Sequence, residues 1–312
     1  MSLPPPTTPM STSGNPEQVL RRLDLLISRR LDGLLHGEYL GLVPGHGSEL
    51  GETREYQAGD DVRRIDWNVT ARLQQPHVRE TIADRELETW LLLDVSPSLD
   101  FGTALCEKRD LAISAAAAAG FLTARTGNRL GAVLLSPDGP VTVPARGGKD
   151  HLMALLHRIL TAPRPERGTT AFADGIRRLA VSSRRRGLAV VVSDYLEGDA
   201  WHQPLRQLAA RHETLCVEIV DPRELELPAV GVLQLVDPRT GDLVDIQTSN
   251  PRLRERYAAA AAEQRAVIAA GIKGAAAEHL QLRTDRDWLM DLIRYVARRR
   301  DRIWGRAGQV AT

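Results

Sequence analysis

With 312 residues, 43% of them hydrophobic, the chain is long enough for one large domain with additions, or for two domains, around a sizeable core. A net charge of +1 gives no global field toward nucleic acid or acidic lipid, and aromatic residues at 4% argue against base stacking. Two cysteines, Cys106 and Cys216, stand far apart without metal-ligand spacing, so no disulfide framework is expected. The start carries no basic stretch followed by an apolar core, and the longest weakly polar run, Leu111 to Ala124, is short for a membrane span and Ala-rich. These features predict a soluble, cytoplasmic protein.

Residues 1–15 are Pro, Ser, Thr and Gly with little to bury and read as a disordered tail. From Pro16 to about His36, Val19, Leu20, Leu23, Leu26, Leu31, Leu34 and Leu35 recur at helical spacing, which predicts an amphipathic helix. A Gly-rich irregular segment follows, and then the densest polar cluster of the chain, Tyr56-Gln57-Ala58-Gly59-Asp60-Asp61-Val62-Arg63-Arg64-Ile65-Asp66-Trp67, continued by Ala71-Arg72. Carboxylates and guanidiniums alternate there around Ile65 and Trp67, a pattern expected to form bidentate pairs over a buried aromatic. Residues 76–82 and 86–93 have the pattern of a hairpin.

The chain is organised around Leu91-Leu92-Leu93-Asp94-Val95-Ser96-Pro97-Ser98. The apolar run reads as a strand buried on both faces, and it stops at a carboxylate. In an open α/β sheet that strand end is where ligands sit. Asp94, Ser96 and Ser98 can surround one point with hard oxygens suited to a magnesium-type ion, while a helix cap by Ser or Asp is the competing reading.

Helix and strand then alternate: helix 108–125, strand 130–135, a turn into strand 141–144, and helix 151–160. Gly147-Gly148-Lys149-Asp150 lacks the spacing of a phosphate loop. Thr170 opens a helix to about Ser183, and strand 188–193 ends at Asp194, repeating the pattern at Asp94. Helix 201–211 leads to strand 214–220, which ends at Asp221. This alternation predicts an α/β fold with a doubly wound, mostly parallel sheet. Strands 232–236 and 243–247 read as a hairpin at a sheet edge, followed by helix 252–270, strand 280–284 and helix 287–300. Arg184–Arg186 and Arg298–Arg300 are placed at helix C-termini, where cations complement the dipole, rather than in a nucleic-acid site.

Asp94-x-Ser96-x-Ser98, then Thr170, then Asp194 resembles the metal-ion-dependent adhesion site of von Willebrand factor A domains. Tyr56-x-x-Gly59-Asp60-Asp61-x-Arg63-x-Ile65-Asp66-Trp67 with Arg72 is similar to the signature of a bacterial domain-of-unknown-function family built on that fold and commonly encoded beside MoxR-type AAA+ ATPases. Ser193-Asp194 and Asp221-Pro222-x-Glu224 add to the match, while Leu99 stands where the family usually has Met. The matches span roughly residues 36–300, and together with the composition and periodicity above the expected organisation is a tail 1–15, an N-terminal helix plus the Gly-Asp-Asp segment over 16–86, a von Willebrand factor A-like domain over 87–302 and a tail 303–312. The resemblance also implies that Asp94, Ser96, Ser98 and Thr170 hold Mg²⁺, or another divalent ion such as Mn²⁺ or Ca²⁺, directly or through water, with Asp194 holding a coordinated water.

Such a site has no nucleophile or general base among its members. The expected function is therefore a non-enzymatic, metal-dependent protein–protein interaction module, an adaptor working with a MoxR-type AAA+ ATPase whose partner offers an acidic residue to the metal. The alternative is a Mg²⁺-dependent hydrolase or phosphoryl-transfer enzyme at the same sheet edge. The role of the cluster around Trp67 is left open by the sequence.

Overall fold

Leu91, Leu92 and Leu93 lie in strand β3 (Glu88–Leu93), all six residues of which are buried. The structure, a computed structural model, describes residues 15–34, 53–56, 62, 65–79, 88–135, 139–164, 168, 171–237 and 240–310. Strands β4 (Arg129–Leu134) and β6 (Gly187–Ser193) flank β3 in parallel. Beyond β6 come β7 (Glu213–Val220) and β10 (Glu278–Arg283), also parallel, and β5 (Val141–Arg146) closes the other edge antiparallel to β4. The order β10-β7-β6-β3-β4-β5 starts in the middle, winds to one edge, and then resumes on the other side of β3. The doubly wound sheet expected from the sequence is present, and its reversal of winding lies between β3 and β6.

Alternate residues of β3 feed two layers of helices. Leu91 and Leu93 pack with α1 (Pro16–Leu34), α3 (Lys108–Arg125), α4 (Lys149–Leu160) and α8 (Trp288–Val310). Trp90 and Leu92 pack with α5 (Phe172–Ser182), α6 (His202–Ala209) and α7 (Pro251–Gly274). With side chains on both faces covered, each Leu of β3 contributes about 1.5–3 kcal/mol of burial, so an uninterrupted apolar run suits this position. Helix α3 is buried from Lys108 to Thr123, and its run Ala115–Ala119 lets it fit between the sheet on one side and α1 and α4 on the other.

A second, smaller unit is drawn from residues 44–86. In it β1 (Thr53–Glu55) pairs antiparallel with β2 (His77–Arg79), and α2 (Trp67–Leu73) starts at an Asp66 N-cap that accepts the amides of Asn68 and Val69. Helix α1, which sequence reasoning grouped with this segment, instead packs in the larger unit through Val19, Leu20, Leu23 and Ile27.

Four other expectations change. Residues 76–82 and 86–93 do not make a hairpin: β2 takes β1 as its partner, and β3, apolar on both faces, takes the centre of the main sheet. The hairpin β8 (Val232–Val236) and β9 (Leu243–Gln247) forms, but as its own two-stranded sheet, because β10 already fills the position beside β7. Arg298–Arg300 lie inside α8, which runs on to Val310, and Arg299 is buried there on Glu213. Trp67, expected under a lid of ion pairs, is 70% exposed at the first position of α2. No described helix is long and apolar enough to cross a membrane.

Candidate functional site

The strand ends at the reversal point place two carboxylates on one edge. The Asp94 amide donates to the Val192 carbonyl at 3.0 Å and the Leu135 amide to the Leu93 carbonyl at 3.0 Å, so the ladder continues one step past β3 and fixes the Asp94 backbone. Asp194 follows β6 directly. The Ser96 amide donates to Asp94 Oδ1 at 2.9 Å, and a short 3-10 turn, Pro97–Leu99, brings the Ser98 hydroxyl to 2.9 Å from that of Ser96. Ser96 makes no side-chain cap bond to this turn, and neither does Glu107 to α3, so the helix-cap reading does not describe the loop. Arg109 pins the loop to α3 by donating to the Val95 carbonyl at 2.9 Å and to Asp100 Oδ2 at 2.8 Å.

Asp94, Ser96, Ser98 and Asp194 are thus brought together by neighbouring strand ends. Thr170 lies outside the described residues, and α5 begins after it at Phe172. Of the polar signature, Gly59, Asp60, Asp61 and Arg63 also lie outside them. Asp66 serves as the α2 N-cap, Tyr56 donates its amide to the Pro76 carbonyl at 2.8 Å, and Arg72 is exposed in the last turn of α2.

The sequence reading missed the groups that balance these charges. Lys108, the first residue of α3, is completely buried, and its ammonium donates to Asp194 Oδ2 at 2.8 Å and to Glu224 Oε1 at 2.5 Å. Arg265 of α7 donates to Glu224 Oε2 at 3.1 Å, to Glu218 Oε1 at 2.9 Å and to the Asp194 carbonyl at 3.2 Å. The Ser193 hydroxyl donates to Asp94 Oδ2 at 2.8 Å. A charged Lys108-Arg109-Asp110 start to a helix that is then almost wholly apolar was the available signal, since a buried ammonium needs carboxylates around it.

These contacts separate the two aspartates electrostatically. Burial, and next the charge of Asp194, push the Asp94 carboxyl up to about 6. Asp194 is just as buried, and burial is the largest single influence on it, but the Lys108 ammonium together with the hydrogen bonds from Lys108, the Ser98 hydroxyl and the Leu196 amide hold it below the usual carboxylate range. Burial alone would lower Lys108; Asp194 and Glu224 instead keep it above the ordinary lysine value.

Two further features brace the edge. Asp221, at the end of β7, accepts the Thr103 amide at 2.9 Å and hydroxyl at 2.6 Å, the Thr284 hydroxyl at 2.7 Å and the Arg223 amide at 2.9 Å. It therefore ties the loop after Ser98 to the ends of β7 and β10. Tyr195 holds a left-handed backbone, φ 58°, which a bulky residue rarely adopts. Its ring packs edge-on against Phe172 and Trp201, with centroids 5.3 and 5.2 Å away, and its hydroxyl donates to the Val191 carbonyl at 2.9 Å.

The donor set fits a hard divalent cation. Cis ligands of an octahedral Mg²⁺ lie about 2.9 Å apart at its usual bond length, and the Ser96 and Ser98 hydroxyl oxygens stand 2.9 Å apart beside Asp94. Among the described residues no group of three or more His, Cys, Asp or Glu side chains is placed to hold a metal, so an ion here would depend on hydroxyls and water as well as carboxylate.

A model of the family described as "Protein of unknown function DUF58" matches residues 52–267. An uncharacterized protein of Mycobacterium tuberculosis is 54% identical over 285 residues, 90% of this chain and 89% of that one. Among solved structures, conserved hypothetical protein BatB from Bacteroides thetaiotaomicron is 12% identical with a TM-score of 0.45, over 69% of this chain and 99% of that one. The SpRpn10 VWA domain is 13% identical with a TM-score of 0.37, over 66% and 93%.

Proposed function

We propose, for a chain that belongs to the DUF58 family of proteins of unknown function, a metal-dependent protein–protein interaction module that serves as an adaptor for a MoxR-type AAA+ ATPase in protein assembly, maturation or remodelling. The observation that carries this reading is the meeting of Asp94, Ser96 and Ser98 with Asp194 where β3 and β6 end side by side. Mg²⁺, or Mn²⁺ or Ca²⁺ in its place, would be held by the Asp94 carboxylate and the two hydroxyls. Thr170 is the further ligand implied by the family resemblance. Mg²⁺ keeps several waters when bound by one or two carboxylates, so a partner's Asp or Glu can replace one of them. When bound, the ion supplies positive charge and an exchangeable position, and this chain's residues supply its orientation.

The test is capture of a purified MoxR-type ATPase, and of proteins from a lysate, by the full chain in Mg²⁺ and in EDTA. Capture that needs Mg²⁺ and is lost in Asp94→Ala supports the module. Capture unchanged by both EDTA and Asp94→Ala sinks it. Turnover of phosphoesters or nucleotides that disappears in Asp94→Asn would favour the hydrolase instead.

A further inference from the structure

The ion pair beside the candidate ligands has no role in the reading above, yet the fold is arranged to hold it. Lys108 is the first residue of α3 and is wholly buried, in surroundings that tolerate an ammonium only when carboxylates meet it. Its amide donates to the Phe101 carbonyl at 2.8 Å, which fixes where the side chain starts. The chain closes on itself there because Gly102 has no Cβ; one would stand 2.4 Å from the Cys106 carbonyl oxygen. At the other end the ammonium meets Asp194 and Glu224, and Glu224 is itself fixed by Arg265 and by the Asp221 amide at 3.2 Å. Asp194 has its other oxygen occupied by the Leu196 amide at 3.2 Å. Backbone amides and the Arg265 guanidinium therefore hold both carboxylates in place, and the ammonium cannot swing away without breaking its two charged hydrogen bonds.

We propose that Lys108 sets the affinity of the metal site: its ammonium is a built-in cation that claims Asp194, so that a divalent ion at Asp94, Ser96 and Ser98 is held by one carboxylate of this chain and exchanges readily. The inference rests on the metal-dependent reading and deepens it. Affinity for a hard divalent ion rises with the number of anionic ligands. A carboxylate already bound to an ammonium contributes little to a second cation, and the ammonium also repels the ion. Both effects weaken binding by the chain alone. The acidic residue of a partner then becomes the ligand that makes the ion stay, so ion and partner bind as a pair and neither binds well by itself. Lys108 acts through Asp194 and is a positioning residue, not a ligand.

The test uses Mn²⁺ as probe on the full chain, read by electron paramagnetic resonance of the free ion and by the Mn²⁺-induced shift in melting temperature. Lys108→Gln is expected to bind Mn²⁺ about tenfold more tightly than the wild type, because Asp194 becomes an available anionic ligand. Lys108→Gln with Asp194→Asn should return within about threefold of the wild type, which distinguishes release of Asp194 from loss of simple repulsion. This neutral pair also replaces the ionic pair without leaving either charge buried alone, so it remains informative where Lys108→Gln alone does not fold. Loss of Mn²⁺ binding in the double variant makes Asp194 a required ligand and overturns the proposal. So does a Lys108→Gln affinity equal to or below the wild type; if the wild type still binds Mn²⁺ in an Asp94-dependent way, the metal site survives that result. Absence of Mn²⁺ binding in both the wild type and Lys108→Gln overturns both.

Discussion

Ser193 donates its hydroxyl to Asp94 Oδ2 at 2.8 Å, from the last position of the strand next to the one that delivers Asp94. The Ser193 hydroxyl oxygen in turn accepts the Tyr195 amide at 3.1 Å. One hydroxyl therefore supports a buried carboxylate and satisfies the backbone of the left-handed residue that follows Asp194. Ser193→Ala removes both contacts with little change in volume. The expected loss is about 1.5–3 kcal/mol, the range for a hydrogen bond to a charged group, measured by urea unfolding. A loss below about 0.5 kcal/mol would mean that water or a rearranged loop replaces the hydroxyl.

The close pairing of β3 and β6 depends on a glycine. A Cβ at Gly187 would lie 2.0 Å from the Glu88 carbonyl oxygen, a backbone atom inside the sheet. At Gly175 the nearest atom, at 2.2 Å, is Leu135 Cδ2, the end of a side chain that can rotate. Gly187→Ala should therefore cost more than Gly175→Ala, about 3 kcal/mol against about 1 kcal/mol, the two ends of the usual overpacking range. Urea midpoints of the two variants decide the order; the reverse order would show that β6 can shift at its start while Leu135 cannot.

Tyr195 is expected to matter through its ring more than its hydroxyl. Tyr195→Phe loses the bond to the Val191 carbonyl and should cost about 1 kcal/mol. Tyr195→Ala opens the cluster with Phe172 and Trp201 and should cost about 3–5 kcal/mol. Because Asp194 precedes Tyr195 and α5 starts at Phe172, the alanine variant should also weaken any Asp94-dependent Mn²⁺ binding. Equal effects of the two substitutions on unfolding would contradict a packing role.

The parts of this architecture visible in the sequence are those with a local signature. The Leu run of β3 and the Val run of β6 announce buried strands because both faces are apolar, and each ends abruptly at an aspartate. Pairing partners are not local: the pattern alone pairs β2 with β3 although its partner is β1, and it groups α1 with the segment that follows it in the chain although α1 packs in the larger unit. Lys108 was hidden for the same reason: its carboxylates lie 86 and 116 positions further along. The Trp67 reading failed because alternating charge suggests ion pairs but does not say what they cover, and Trp67 proved exposed. The arginines at 298–300 look like a dipole-matched helix end until α8 is seen to continue past them.

Acid sensitivity near neutral pH should trace to His212. The ring is buried and shares a 3.1 Å hydrogen bond with the Ser183 hydroxyl. Burial first, then the charges of Arg211 and Arg186, lower its pKa below the ordinary 6.5. The unfolded chain thus takes up a proton as the pH falls through 6.5 while folded His212 stays neutral, so its contribution to stability is full above 6.5 and declines below it, until the folded group also protonates. Asp94 acts with the opposite sign, because its folded pKa of about 6 lies above its unfolded value and acidification relieves its charge. His212→Gln leaves that term in place and removes only the histidine's. Melting temperatures at about pH 7.5 and 5.5 should therefore fall less in His212→Gln than in the wild type, whatever the absolute cost of the substitution at neutral pH. Parallel curves for the two proteins would show that His212 gains its proton as easily folded as unfolded.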